Sequence, residues 1–388
     1  MTTTTPEAAR PPLYRNVNVL KWVFQLVVFF IVLAILFWLA NNYLTRSQDL
    51  GIPTSFDFLD QPTSFDITGA DFSPAEPVRN AYLVGIGNTI RISAVGIVFA
   101  TALGILVGIG RLSRNWVVNK LSTVFVESLR NIPLLVIMTF CFLGIVLQLF
   151  PRIEEAWNLG GLVIVSNRGV SVTWFEGTTV AALLGFLFLG VAGWWLIARW
   201  RRGVFERTGA PTRAGLLGSS FLILVMVTGW FVLGATVTTP EVAGRAVAGG
   251  IRVDPSYFAV LVALVIYTAS HIAEITRGSI QAVPKGQGEA GSALALSGSQ
   301  RLWFVVLPQA MRIAIPPIGN QYLNLIKNSS LGAAFAYFDL TLVAQITVGN
   351  GKPAVPAFVL ALVFYVVLSL ITSTFVNLAN RHFKLVER

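Results

Sequence analysis

Covalent and metal chemistry have little to work with in this chain. Its 388 residues include one cysteine and two histidines. Cys141 has no partner for an intrachain disulfide, and its apolar neighbours make it an inert thiol rather than a reactive one. His271 and His382 stand apart, with too few neighbouring ligands to build a metal site. No His/Asp/Glu cluster and no nucleophile-plus-base grouping marks a membrane-embedded enzyme. The phosphate cradle Gly-x-x-x-x-Gly-Lys-Ser/Thr is also missing, since the Gly351-Lys352 pair is followed by Pro353. Charge is scarce: 12% of residues are charged, where a soluble domain carries about 25%. With 55% hydrophobic residues and a mean hydropathy of +0.71, this deficit places the chain in a bilayer. The net charge of +10 sits between apolar runs. It therefore reads as membrane orientation, not as a nucleic-acid surface.

Apolar runs of spanning length fall at about residues 22–40, 84–110, 131–150, 178–198, 214–237, 256–276, 313–345 and 356–379. They predict an all-α membrane protein of about eight transmembrane helices. The first run is followed by Asn41-Asn42-Tyr43 and not by a small-x-small cleavage site, so it reads as a retained helix. The run 313–345 is long and polar for one helix. Pro316-Pro317, then Asn320, Asn324, Lys327 and Asn328, predict a broken or kinked element. The segment 46–80 is rich in Pro, Asp, Ser and Thr and reads as an irregular loop.

Loop charge alternates along the chain. One set carries Arg10, Arg15 and Lys21; Arg111, Arg114, Lys120 and Arg130; Arg199, Arg201, Arg202, Arg207 and Arg213; Arg277, Lys285, Arg301 and Arg312; and Arg381, Lys384 and Arg388. The alternate loops carry Asp49, Asp57, Asp60, Asp66, Asp71 and Glu76, then Glu154, Glu155 and Glu176, against few basic residues. The positive-inside rule then predicts cytoplasmic N and C termini. The run 199–213 reads as a solvated turn, and aromatic runs such as Phe29-Phe30 and Trp194-Trp195 as lipid-facing or interface-belt residues.

The stretch 273–308 is a polar, Gly-containing loop between two apolar runs. In it Glu289-Ala290-Gly291 precedes Val305-Val306-Leu307-Pro308 at a spacing that resembles the EAA loop of ABC importer permeases: EAA, three residues, Gly, nine residues, Ile-x-Leu-Pro. Two blocks, 82–150 and 257–388, resemble the polar amino-acid permease family. The first holds Gly85-Ile86-Gly87-Asn88-Thr89 and Arg130-Asn131-Ile132-Pro133-Leu134-Leu135. The second holds Ala282-Val283-Pro284-Lys285-Gly286, Leu307-Pro308-Gln309-Ala310 and Leu325-Ile326-Lys327-Asn328-Ser329-Ser330. The length and layout look like a subunit of the general L-amino-acid importers.

The resemblance implies a five-helix type I importer core built from the spans at 84–110, 131–150, 256–276, 313–345 and 356–379. The remaining helices are additions: one N-terminal and two inserted. The chain then divides into a cytoplasmic segment 1–21, an extra helix 22–40, a periplasmic loop 41–80 and a first core part 81–150. An insertion 151–255 follows, then a second core part 256–380 with the coupling loop at 278–312, and a cytoplasmic tail 381–388. The implied activity is non-catalytic: translocation of polar or general L-amino acids across a bacterial inner membrane by alternating access. The implied partners are an ABC ATPase dimer that binds the ATP and Mg, a second, different permease chain, and a periplasmic binding protein. No cofactor is expected in this chain. The alternative is a self-sufficient ion-coupled carrier, against which the absence of obvious repeats and of paired intramembrane carboxylates counts.

In the loop, Glu289 is the expected polar contact with the ATPase, the alternative being a carboxylate that only favours the local helix dipole. Gly291 stands where the family has its second Ala, and Ala295 where it has Gly. The family Gly tolerates a positive-φ turn, and Ser297-Gly298 is expected to take that turn over. Pro308 is expected to end the loop's second helix. Asn320, Asn324, Lys327, Asn328, Ser329 and Ser330, with Glu274, are the expected lining of the substrate path. For the residues from Asn320 to Ser330 the alternative is contact with a partner permease; for Glu274 it is pairing with Arg277. Arg91, early in its span, is expected to reach the outer interface.

Overall fold

Each long apolar run becomes a helix: α1 Val17–Asp49, α2 Val78–Gly110, α5 Thr179–Thr208, α6 Ala214–Val232, α7 Pro255–Gln281, α10 Leu307–Asn328 and α12 Ala354–Phe383. The computed structural model describes residues 16–383 apart from 71, 176–178, 210–212, 235 and 245. Arg10, Arg15, Asp71, Glu176, Lys384 and Arg388 of the charge argument therefore lie outside the described residues. Seven helices among the described residues are long and apolar enough to cross a membrane. A bent pair, α3 Trp116–Arg130 and the stretch Leu134–Leu149, meets at 107° and, counted as one span, makes eight. That stretch is α4 Leu134–Thr139 followed by a π-helical run Phe140–Leu149. The bend has a local cause: Pro133 disfavours helical backbone at Ile132 and then opens α4 as its cap.

The centre of the bundle is the α2–α7 pair. α2 presents small residues there, and a Cβ at Gly104 would lie 2.6 Å from Ile272 Cβ, so only Gly permits this approach. Around the pair, Ile92, Met138, Leu264, Ile272 and Leu325 are fully buried. α10 and α12 pack behind them, with Gly319 against Val376.

The run 313–345 does break, but not at its prolines. α10 passes through Pro316 and Pro317 and ends at Asn328 in a 3-10 turn, Ser329–Phe335. A separate short helix, α11 Leu340–Gly349, follows. Asp339 caps it by accepting from Leu342 N–H at 2.8 Å. The Gly85–Thr89 motif holds this junction: Leu340 N–H donates to Thr89 Oγ1 at 3.1 Å, and Asn88 Nδ2 to the Phe338 carbonyl at 2.9 Å.

The segment between α1 and α2 is more ordered than its composition predicts. Phe58, Ile67 and Phe72 are buried against α2, α11 and α12. Lys352 Nζ donates to Gln61 Oε1 at 2.6 Å, which ties the segment to the α11–α12 turn. Glu76 accepts from Asn80 Nδ2 and Ser73 N–H, which hold its carboxyl below the usual range.

The insertion departs from the expected helix-and-loop pattern. β1 Trp157–Leu159, β2 Val163–Ser166, β3 Gly169–Val172 and β8 Ile251–Val253 form an antiparallel sheet in that order. β4 Trp174–Phe175 pairs with β5 Val237–Thr238, and β6 Glu241–Ala243 with β7 Ala246–Ala248. β3 precedes the α5–α6 hairpin and β8 follows it. Their pairing, Val170 with Val253 and Ser171 with Arg252, closes the insertion beside the start of α7.

Candidate functional site

The polar loop between α7 and α10 forms a helix, a turn and a helix at one end of the bundle. Pro284 caps α8 Lys285–Ala293, and Ser297 caps α9 Gly298–Arg301. The Ser297 side chain accepts from Gln300 N–H while Gln300 Oε1 accepts from Ser297 N–H, a reciprocal capping box. With Ser297 as cap and Gly298 as the first helical residue, neither takes over the turn. The turn stays at Ala295, which has φ +54°. Ala295 thus holds the left-handed conformation that the family Gly would hold without strain. Gly291 is buried, and a Cβ there would lie 3.2 Å from Arg301 Cγ, so its small size lets α8 lie against α9. Arg301 Nη1 also donates to Ser292 Oγ. Glu289 and Ala290 are exposed, and Leu294 is 76% exposed. Glu289 is the fifth residue of α8, beyond the first turn where a dipole-only role would be strongest.

Pro308 does not end a helix. α9 continues through a π turn, Leu302–Val306, into α10, and Pro308 sits at the start of α10. Proline offers no N–H and crowds the carbonyl four residues back. The π turn accommodates this, with Leu307 N–H bonding to the Leu302 carbonyl instead. Leu307 is half-buried beside it.

Above this loop lies a charged cluster that sequence reading caught only in part. Glu274 pairs with Arg277, as expected at that spacing, and also with Arg111 at the end of α2 and Arg130 at 3.8 Å. Arg111 Nη2 meets Glu127 Oε1 of α3 at 3.0 Å. One carboxylate thereby joins α2, α3 and α7 directly above the loop. Glu274 is removed from the other path candidates. It lies two turns before the loop end of α7, whereas Lys327 lies at the far end of α10, about 30 Å along the helix.

On α10, Asn320, Asn324 and Lys327 are exposed and spaced for one helix face, with Asn328 half-buried beside them. The serines separate from this stripe. Ser329 is fully buried and donates to the Ile326 carbonyl at 2.8 Å, and Ser330 donates to the Lys327 carbonyl at 2.7 Å. An exposed polar stripe on a membrane-depth helix must face water or another protein surface, because lipid cannot satisfy it.

At the bundle end opposite the loop is a cavity of about 430 Å³ between α2, the start of α7, the residues before α11 and the inserted sheet. Arg91, Arg168, Arg252, Asp254 and Asn88 line it. The Arg91 guanidinium lies 4.5 Å from the Tyr257 ring centre and lines the cavity. Sequence reading missed the other lining residues, because they come from separate parts of the chain between Thr68 and Phe338, brought together by the β3–β8 pairing and by the hydrogen bonds of Asn88 to Phe338 and Tyr337.

The model of the family described as binding-protein-dependent transport system inner membrane component matches residues 100–385. The chain is 37% identical over 385 residues to the general L-amino acid transport system permease protein AapQ of Rhizobium johnstonii, covering 97% of this chain and 94% of that protein. It is 34% identical over 402 residues to the glutamate/glutamine/aspartate/asparagine transport system permease protein BztB of Rhodobacter capsulatus, covering 94% and 93%. The glutamine transport system permease protein GlnP of Escherichia coli is 35% identical over 136 residues, 35% of this chain and 62% of that protein.

Proposed function

The chain belongs to the family of binding-protein-dependent transport system inner membrane components, and on that basis we propose that it is the permease subunit of an ATP-driven amino-acid importer. A permease of this kind is a multi-pass inner-membrane protein that works with an ATPase and a binding protein. In this reading the permease carries no nucleotide; ATP and Mg belong to an ATPase dimer docked on the α8–α9 loop. That docking puts the loop and both termini in the cytoplasm. A second permease chain, different from this one, covers the Asn320–Asn324–Lys327 stripe, and the two polar faces line the substrate path between them.

The observation that carries the reading is the exposed α8–α9 unit and its attachment. α8 follows α7 closely and α9 runs on into α10, so a push on the loop reaches both helices at once. Glu289 and Leu294 supply an ionic and an apolar contact on its outer surface. The Glu274 cluster transmits the same movement to α2 and α3.

A pull-down from detergent-solubilised membranes tests this. The native chain should bring down an ATPase and a second permease, and Glu289→Lys should lose the ATPase while keeping the permease. If the native chain purifies alone and moves amino acids into liposomes without ATP, the importer assignment is wrong and an ion-coupled carrier replaces it.

A further inference from the structure

One face of α5 changes character along its length. Leu184, Phe188, Val191 and Trp195 follow each other on it at helical spacing, each 48% exposed or more. Arg199, Arg202 and Glu206 continue the same stripe, and all three are exposed. α5 leaves the β4–β5 strand pair much as α7 leaves β8, so both helices run from the sheet side toward the α8–α9 side. About 20 residues of helix cross the hydrocarbon layer. Counted from Thr179, that length is used up where the tryptophans give way to Arg199.

The run 199–213 is therefore more than a solvated turn, being helical as far as Thr208. A groove of about 430 Å³ opens at its start, lined by Trp194, Trp195, Arg199, Arg202 and Glu206. Gly203 keeps one side open, since nothing lies within 4 Å of where its Cβ would be. The Trp194 ring is held against Gly218 of α6, and the Arg199 guanidinium lies 5.7 Å from the Trp195 ring centre. Among the described residues neither Arg199 nor Arg202 forms an ion pair with a carboxylate, Glu206 included. Arg207 and Arg213 stand exposed just beyond the groove and add to its positive field.

A stripe that is apolar, then aromatic, then cationic matches an amphiphile. A soluble anion would use the guanidinium groups and leave the apolar part without a function, and so would a protein segment confined to the aqueous side. A phospholipid covers the whole stripe. Its acyl chains lie along Leu184, Phe188 and Val191, its ester region against Trp195, and its phosphate on Arg199 and Arg202. The excess of arginine then selects among headgroups. An ethanolamine headgroup brings an ammonium that meets like charge, whereas a headgroup with net negative charge does not. We propose that this end of α5 is a binding site for an anionic phospholipid of the leaflet on the α8–α9 side, and that this lipid anchors the inserted hairpin. The proposal rests on the membrane-spanning helices and not on the importer reading.

The test is native mass spectrometry of the full chain in detergent. Phosphatidylglycerol and phosphatidylethanolamine with identical acyl chains are the probes. The native chain should retain phosphatidylglycerol about tenfold more strongly. Arg199→Gln with Arg202→Gln should cut that preference to about twofold or less. Arg207→Gln with Arg213→Gln removes the same charge outside the groove and should leave more than about half of the preference. Arg199→Lys with Arg202→Lys keeps the charge and should restore most of the preference, which a loss of structure would not allow. Equal retention of the two lipids by the native chain overturns the proposal. So does an equal fall in the two glutamine pairs, which would mean diffuse attraction to a basic turn. Glycerol phosphate, the headgroup without acyl chains, should fail to displace the lipid at equal concentration. Displacement would make this a site for a soluble phosphate and overturn the lipid assignment.

Discussion

Two helix pairs in this molecule, the parallel α2–α7 and the antiparallel α5–α6, are both apolar and both use glycine, yet they are held by different means. α2–α7 sits at the centre, and half of α7's most apolar stretch is buried. Its glycines let backbone approach backbone and leave no slack, since Gly108 has the Ala273 carbonyl 2.7 Å from where a Cβ would be. α5–α6 packs mainly on itself. Its glycines meet ring edges, Gly193 facing Phe221 and Gly229 facing Phe186. Phe188, Trp200 and Phe231 point outward at 65% exposure or more. In a bilayer, apolar exposure costs nothing, so a hairpin can be added wherever its own two helices fit each other. The central pair has no such freedom, and the α8–α9 loop and the Glu274 cluster attach to it.

That contrast breaks most visibly at Gly104. Gly104→Leu would drive a side chain into Ile272 and the Ala269 carbonyl. The expected loss is about 3 kcal/mol or more, as an overpacked interface gives, read as failure to recover the folded chain from membranes. Gly185→Leu in α5, where nothing lies within 4 Å, should change recovery little. A similar loss at both positions would show that the two pairs are not held differently. A smaller effect is expected at Gly193→Leu. Phe221 can swing aside, so the cost is about 1–2 kcal/mol, measured as a lower temperature of aggregation in detergent. The ATPase should still co-purify, and its loss would mean that the hairpin helps to hold the loop. The smallest effect is a gain. Ala295→Gly relieves a positive φ and should stabilise the α8–α9 loop by about 1 kcal/mol, seen as slower amide exchange at 290–300 with ATPase recovery unchanged. Faster exchange there would show that the turn does not adopt this conformation.

Much of this was legible in the sequence because it is encoded locally. Spanning helices follow from apolar runs of sufficient length, and the loop from one motif at fixed spacing. The pairing of Glu274 with Arg277 is a three-residue relation on one helix. Its partner Arg111 lies 163 residues away, and no local signal marks it. The strands of the insertion are two to four residues long, too short for alternation to register. Pro308 misled for another reason. Proline ends helices when no other hydrogen-bond pattern is available, and a π turn provided one here. Ser329 and Ser330 also donate to the backbone that ends α10, a contact that their place beside Lys327 in the sequence does not mark.

The helical run from α9 to the 3-10 turn, Gly298–Phe335, is unbroken over 38 residues, a rod of about 57 Å at 1.5 Å per residue. It is longer than the hydrocarbon layer is thick, about 30 Å. One end belongs to the α8–α9 loop, and the other lies beside Tyr337 in the wall of the far cavity. A rod of that length, pivoted within the membrane, would act as a lever. A tilt of about 10° displaces each end by roughly 5 Å, in opposite directions. Opening at one mouth and closing at the other then become a single movement of one part.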